Sequence, residues 1–204
     1  MGSLVGRIAE ETPPHTVLRA ATGSDPVEIR SYPSILICET TFGPNGGLNR
    51  GEGEFGRLAK YIGVFSRPNN EPSEGIAMTA PVLMSRPTAL EGSERPAEGR
   101  TMAFVLPASK YKQLSEVPAP TDPRVLVREV LPRTVAVHTF SGRLQESAVQ
   151  ERIESLLEAV RADQRWVVAS DPAEWYCAGY NAPYVPSCLK TNEVMVVVHE
   201  RSKT

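Results

Sequence analysis

Apolar and polar residues alternate along Val27-Glu-Ile-Arg-Ser-Tyr32, the pattern of a half-buried strand. Pro33 interrupts it, and Ile35-Leu-Ile-Cys-Glu-Thr-Thr41 predicts a second strand. Residues 43–47, Gly-Pro-Asn-Gly-Gly, form a loop by composition. Phe55, Leu58, Ala59 and Ile62 then recur at helical spacing. Glu52 and Glu54 stand near the start of that helix, where acids suit its dipole, and Gly63 is placed to stop it. A polar loop over 66–76 leads to Met78-Thr-Ala-Pro-Val-Leu-Met84, read as a strand that Pro81 puts at an edge or bulge. Residues 86–100, rich in Pro, Glu, Gly and Ser, predict a hairpin connection to a strand at Met102-Ala-Phe-Val-Leu106.

A proline-rich stretch, Pro118 to Pro123, separates the two halves of the pattern. Strands follow at Arg124–Val130 and Thr134–Phe140. Val149, Ile153, Leu156, Leu157 and Val160 make the longest amphipathic helix. Trp166–Ala169, Trp175–Tyr180 and Val194–Val198 complete the strands. Each half therefore reads as two strands, a helix and two strands, a repeat of pattern without sequence identity. Two such units packed together predict an α+β domain with a closed or nearly closed antiparallel sheet system.

Composition narrows the function. The chain has 204 residues, 41% apolar and 23% charged, an ordinary globular balance long enough for a sizeable core. A net charge of −2 argues against a nucleic-acid binder, which carries a basic stripe. Eighteen prolines favour loops and strand ends over a helical bundle. No apolar run approaches the roughly 20 residues that span a bilayer, and the first residues predict neither a signal peptide nor a myristoylation site. Cys38, Cys177 and Cys188 form no Cys-x-x-Cys pair, which points to reduced thiols in a cytoplasmic compartment.

Several segments together resemble the SOUL/heme-binding family. They are Tyr32-Pro33, Phe55…Leu58-Ala-Lys-Tyr-Ile-Gly63, Ile76-Ala-Met-Thr-Ala-Pro-Val82, Phe104-Val-Leu-Pro107, Pro120-Thr-Asp-Pro123, Phe140-Ser-Gly142, Tyr180-Asn-Ala-Pro183 and Thr191-Asn-Glu-Val194. Their order and spacing fit from about residue 16 to 198. The resemblance implies a single domain, a distorted antiparallel β-barrel with two main helices packed outside. It also implies reversible, non-covalent binding of heme or another porphyrin in a shallow apolar groove, as a carrier or buffer. In that family the groove lies between the first helix and the loop before the last strand, here 54–63 and 181–191. Photosynthetic members occur in plastids, but this N-terminus does not read as a Ser/Arg-rich transit peptide.

A porphyrin needs an apolar face and cations for its propionates. Arg57 and Lys60, three apart, share a helix face. With Tyr61 they are expected on the non-core side, either clamping a propionate or as a solvated face. Tyr184, Val185 and Leu189 are apolar residues in a loop that should be polar, and Lys190 adds a cation. Axial ligation by histidine is not expected. His138 reads as a structural residue facing the core, His15 and His199 lie near the ends, and before the first helix stand only Asn45, Asn49 and Arg50. Cys188 reads as a plain loop thiol. No metal site and no catalytic motif are predicted. The glycines at 43, 46, 47, 51 and 53 lack the Gly-Lys-Ser/Thr ending of a phosphate loop. Two alternatives remain: an enzyme acting on a tetrapyrrole or small amphiphile through a barrel carboxylate such as Glu193 or Glu39, and a protein-interaction module using the same groove.

Overall fold

The computed structural model describes residues 8–23, 26–42, 52–64, 66–85 and 100–202. The loop predicted at 43–47, most of the hairpin connection over 86–100, and Asn45, Asn49 and Arg50 lie outside the described residues. The elements are β1 (Thr16–Arg19), β2 (Val27–Tyr32), β3 (Ile35–Phe42), α1 (Glu52–Ile62), β4 (Asn70–Glu71), β5 (Val82–Ser85) and β6 (Arg100–Val105). They continue with β7 (Ala119–Pro120), β8 (Leu126–Val130), β9 (Arg133–Phe140), α2 (Glu146–Ala162), β10 (Trp166–Val168), β11 (Trp175–Gly179) and β12 (Asn192–Glu200). The fold is α+β, with two main helices and antiparallel strand pairs, as the pattern predicts. No helix among the described residues is long and apolar enough to cross a membrane.

The chain divides into two compact units: a central one of Ile8–Pro13 and Ser34–Leu131, and a terminal one of Pro14–Pro33 and Pro132–Thr204. In the central unit the strand order is β5-β6-β3-β8. β3 is paired on both edges, Cys38 standing opposite Phe104 on one side and Val127 on the other. Residues 36–40 are all buried, so β3 is covered on both faces, which explains its nearly continuous apolar start. Ile37, Ala103, Val105 and Val130 form a core cluster, with Ile35 and Leu83 packed against it. α1 buries Leu58, Ala59 and Ile62, and Phe55 meets Phe104 edge-on at 5.2 Å.

Gly63 ends α1 as expected. Its N–H reaches the Ala59 carbonyl at 2.9 Å, its φ is +84°, and a Cβ there would stand 2.5 Å from Pro68 Cγ. A left-handed backbone against a proline ring admits glycine and little else.

In the terminal unit the order is β1-β2-β9-β12-β11, with β10 pairing β12 beyond β11 on the same edge. α2 buries Val149, Ile153, Leu156 and Val160, at the spacing read from sequence, while Leu157 is only half-buried.

Three expectations change. The strand predicted at Met78–Met84 begins only at Val82, because Pro81 has no N–H for a ladder and the residues before it are otherwise engaged. Thr79 Oγ1 donates to the Val105 carbonyl at 2.5 Å, and Ala80 N–H to the Glu11 carbonyl at 2.9 Å. The stretch Pro118–Pro123 does not divide the molecule. It lies inside the central unit, where Ala119–Pro120 pairs with Asn70–Glu71. Nor do the units follow the halves of the chain. β2 pairs with β9, and β8 pairs with β3, so each unit takes strands from both halves of the chain. The switches fall at Pro33 and Pro132.

Candidate functional site

On the outer face of α1, Gly53, Gly56, Arg57 and Lys60 fall at helical spacing on one side. With Asn69, Asp122 and Arg124 they line a cavity of about 380 Å³ in the central unit. A Cβ at Gly53 or Gly56 would meet nothing within 4 Å, so this helix face is open to a ligand lying against the backbone. Arg57 donates from Nη1 to Thr40 Oγ1 at 2.7 Å, and its Nε stands 3.9 Å from Asp122 Oδ2. That Nε is buried and has no hydrogen-bond partner, an orphaned donor beside the cavity. Lys60 is exposed. Three cationic side chains and one carboxylate line the cavity, a balance that favours an anion.

Asp122 is held by Arg124, whose Nε and Nη2 donate at 2.9 and 2.7 Å and whose backbone N–H donates at 3.0 Å. These bonds, the guanidinium's first, bring the Asp122 carboxyl down to about 2. A depressed carboxylate contributes stability above the ordinary aspartate range and loses it as pH falls towards 2. Carboxyl-carbon NMR is expected to show Asp122 titrating near 2, and Arg124→Gln to move it back towards the ordinary range. A normal midpoint in the unsubstituted protein would contradict the bidentate geometry.

Tyr61 does not belong on this face. It is fully buried, and its hydroxyl donates to the Pro118 carbonyl at 2.8 Å, with burial raising its pKa. Sequence reasoning placed it outside because Phe55, Leu58, Ala59 and Ile62 seemed to complete the core stripe, and its partner lies 57 residues away. The same reasoning missed Asn69, Asp122 and Arg124. The available signal was Asp122-Pro-Arg124, an acid and a base held by proline, of which Asp122 stood within a family-like segment and Arg124 at the start of a predicted strand.

The loop over 181–191 belongs to the terminal unit. Asn181 Oδ1 accepts from Thr191 N–H at 2.6 Å, which ties the two ends together, and the Ser187 carbonyl accepts from Gly142 N–H at 2.9 Å, which pins the interior. A tight turn at Ser187–Leu189 lies between. Tyr184 is 88% exposed and Leu189 46%, while Val185 is half-buried. The Lys190 ammonium donates to the Pro183 carbonyl at 3.2 Å, so that cation also braces the loop. Cys188 is exposed. Arg57 and Lys60 thus share one cavity wall, whereas Tyr184, Val185, Leu189 and Lys190 are grouped on the other unit's loop.

The candidate acids are engaged. Both oxygens of buried Glu193 accept from Arg30, at 2.9 and 3.1 Å, and Tyr180 donates to it at 2.6 Å. Glu39 accepts from Arg128 at 2.9 and 3.1 Å. Each is a bidentate pair typical of a structural anion. His138 is half-buried, with its pKa lowered by burial and then by Arg152. His15 stacks against Tyr32 at 5.1 Å. Among the described residues no group of three His, Cys, Asp or Glu is placed to hold a metal ion.

The C-terminal domain of EcmrR superposes with a TM-score of 0.58 at 9% identity, covering 86% of this chain and 98% of that one. A hydrolase from Listeria innocua superposes with a TM-score of 0.50 at 10% identity, covering 85% and 91%. At such identities these likenesses speak for the fold alone. Human heme-binding protein 2 is 29% identical over 143 residues, covering 70% of this chain and 63% of that protein, so the match spans less than two thirds of the relative. The family model described as SOUL heme-binding protein matches residues 10–197, through both units and nearly every described element. The chain belongs to the SOUL heme-binding protein family.

Proposed function

We propose that the protein binds heme or a related tetrapyrrole reversibly and non-covalently, as a carrier or buffer. Arg57 and Lys60 hold the acid side chains of the ligand at the cavity of the central unit. The observation that carries this reading is the buried Arg57 Nε without a partner, on a glycine-lined helix face rich in positive charge. An orphaned donor beside an open cationic cavity fits a ligand with carboxylates. Membership of the SOUL heme-binding protein family and the likeness to human heme-binding protein 2 support a tetrapyrrole as the ligand. When bound, heme supplies a redox-active iron in a flat apolar ring. The residues of this chain anchor its edge and exclude water from its face.

The test is charge reversal. Arg57→Glu with Lys60→Glu is expected to weaken binding of a free-acid porphyrin about two- to thirtyfold at low ionic strength, since each partly exposed pair is worth about 0.2–1 kcal/mol. The loss shrinks in high salt. Esterifying the propionates erases the difference between variant and parent. Absorbance titrations of both proteins with both ligands, with folding checked by circular dichroism, measure this. Equal affinity of parent and folded variant for the free acid would remove α1 from the site.

A further inference from the structure

The terminal unit carries a second concavity, of about 530 Å³, that no part of the tetrapyrrole reading uses. Its size is within the range of small-molecule sites. Leu157, Val160 and Arg161 reach it from one face of α2, at i, i+3 and i+4. Val167 comes from β10, the loop over 169–173 closes one side, and Arg201 follows β12. Val160 is buried, whereas Leu157 and Val167 are only half-buried, so the apolar floor is incompletely covered.

The charge at the rim is unbalanced. Arg161 and Arg201 are both exposed, and among the described residues neither guanidinium has a carboxylate within ion-pair distance. Arg201 is positioned rather than loose, its backbone N–H donating to the Arg165 carbonyl at 2.7 Å and its Nη2 to the Asp163 carbonyl at 3.2 Å. The neighbouring Arg165 is already matched with Glu200 at 3.0 Å. One acid, Asp171, stands against the two arginines.

We infer that this groove binds an amphipathic organic anion, with a compact apolar body on Leu157, Val160 and Val167 and a carboxylate or sulfonate head at Arg161 and Arg201. Guanidinium forks suit planar two-oxygen heads, and an aliphatic body suits the floor. The phosphate of a nucleotide would supply a head but no apolar body. A neutral lipid would supply the body and leave the arginines unmatched.

Decanoate below its micelle concentration is the probe, with decanol and acetate as controls that each lack one half of the ligand. Calorimetric titration of the full chain is expected to show decanoate binding, with both controls weaker by about tenfold or more, since head and floor each contribute. Arg161→Glu with Arg201→Glu weakens decanoate about tenfold and leaves decanol unchanged. Arg161→Gln with Arg201→Gln gives a smaller loss in the same direction, and keeps the test open should the charge reversal disturb folding. The porphyrin titration of these variants matches the parent, which separates this groove from the cavity at α1. No decanoate binding by the parent protein, decanol binding as tightly as decanoate, or undiminished decanoate binding in either folded variant would overturn the assignment.

Discussion

Arg30→Ala is expected to destabilise the protein by about 3–5 kcal/mol, the usual cost of stripping one partner from a buried ion pair. Arg30 on β2 is the hub of a polar group closed off from water, its side chain 11% exposed and that of Glu193 5%. Its guanidinium donates to both oxygens of Glu193, to the Tyr32 hydroxyl at 3.3 Å and to Glu28. Removing it leaves the Glu193 carboxylate buried with, among the described residues, the Tyr180 hydroxyl at 2.6 Å and the Thr139 hydroxyl at 3.3 Å. Two hydroxyls do not replace a positive charge in a low-dielectric interior. The pair Arg30→Met with Glu193→Leu removes both charges together, and is expected to cost much less than the sum of the single changes. Urea denaturation of the parent, Arg30→Met, Glu193→Leu and the double variant measures the cycle, with Arg30→Ala alongside. A loss below about 1 kcal/mol for Arg30→Ala would mean that water reaches Glu193 after all.

Leu156→Ala is expected to cost about 2–5 kcal/mol. Leu156 is 1% exposed in the middle of the buried stripe of α2, between Ile153 and Val160. The helix packs on β9, β10 and β12, all held in one hydrogen-bonded sheet, so the walls of the new cavity have little room to relax. Leu157→Ala, one position round the helix and half-buried, costs less. Thermal and chemical denaturation of the two variants give the comparison. Equal losses at both positions would mean that the helix is rotated from the orientation described.

Much of the architecture can be read from the residues because each strand and helix carries its own period. The strands at Val27–Tyr32 and Thr134–Phe140 and the 3.6-residue stripe from Val149 to Val160 are present in the structure, but the polar–apolar alternation of Val27–Tyr32 does not carry through to burial, since Arg30 is buried beside Ile29. Periodicity names a buried face but not the element that buries it. That is why the partnership of β2 with β9, and of β8 with β3, was beyond sequence reasoning. The site divides in the same way. Arg57 and Lys60 share a face because helical geometry requires it, and both line the cavity. Tyr61 was misplaced because a tyrosine satisfies its hydroxyl wherever a carbonyl waits, here Pro118, and no local pattern announces a distant carbonyl. Arg124 was missed for the same reason, since its value depends on the loop that brings Asp122 beside α1.

The mixing of strands from both halves governs how the chain is made. Once Leu131 has left the ribosome, every residue of the central unit is free to pair. The terminal unit is different. β2 is among the first strands to appear, yet its partner β9 begins about a hundred residues later, a delay of roughly 5–20 s at ordinary rates of synthesis. During that interval the edge of β2 that will pair β9 has no mate, and Val27 and Ile29, buried at the end, have nothing to pack against. Vectorial synthesis therefore lets the central unit pair its strands before the terminal one, and leaves β2 waiting for β9 on the ribosome.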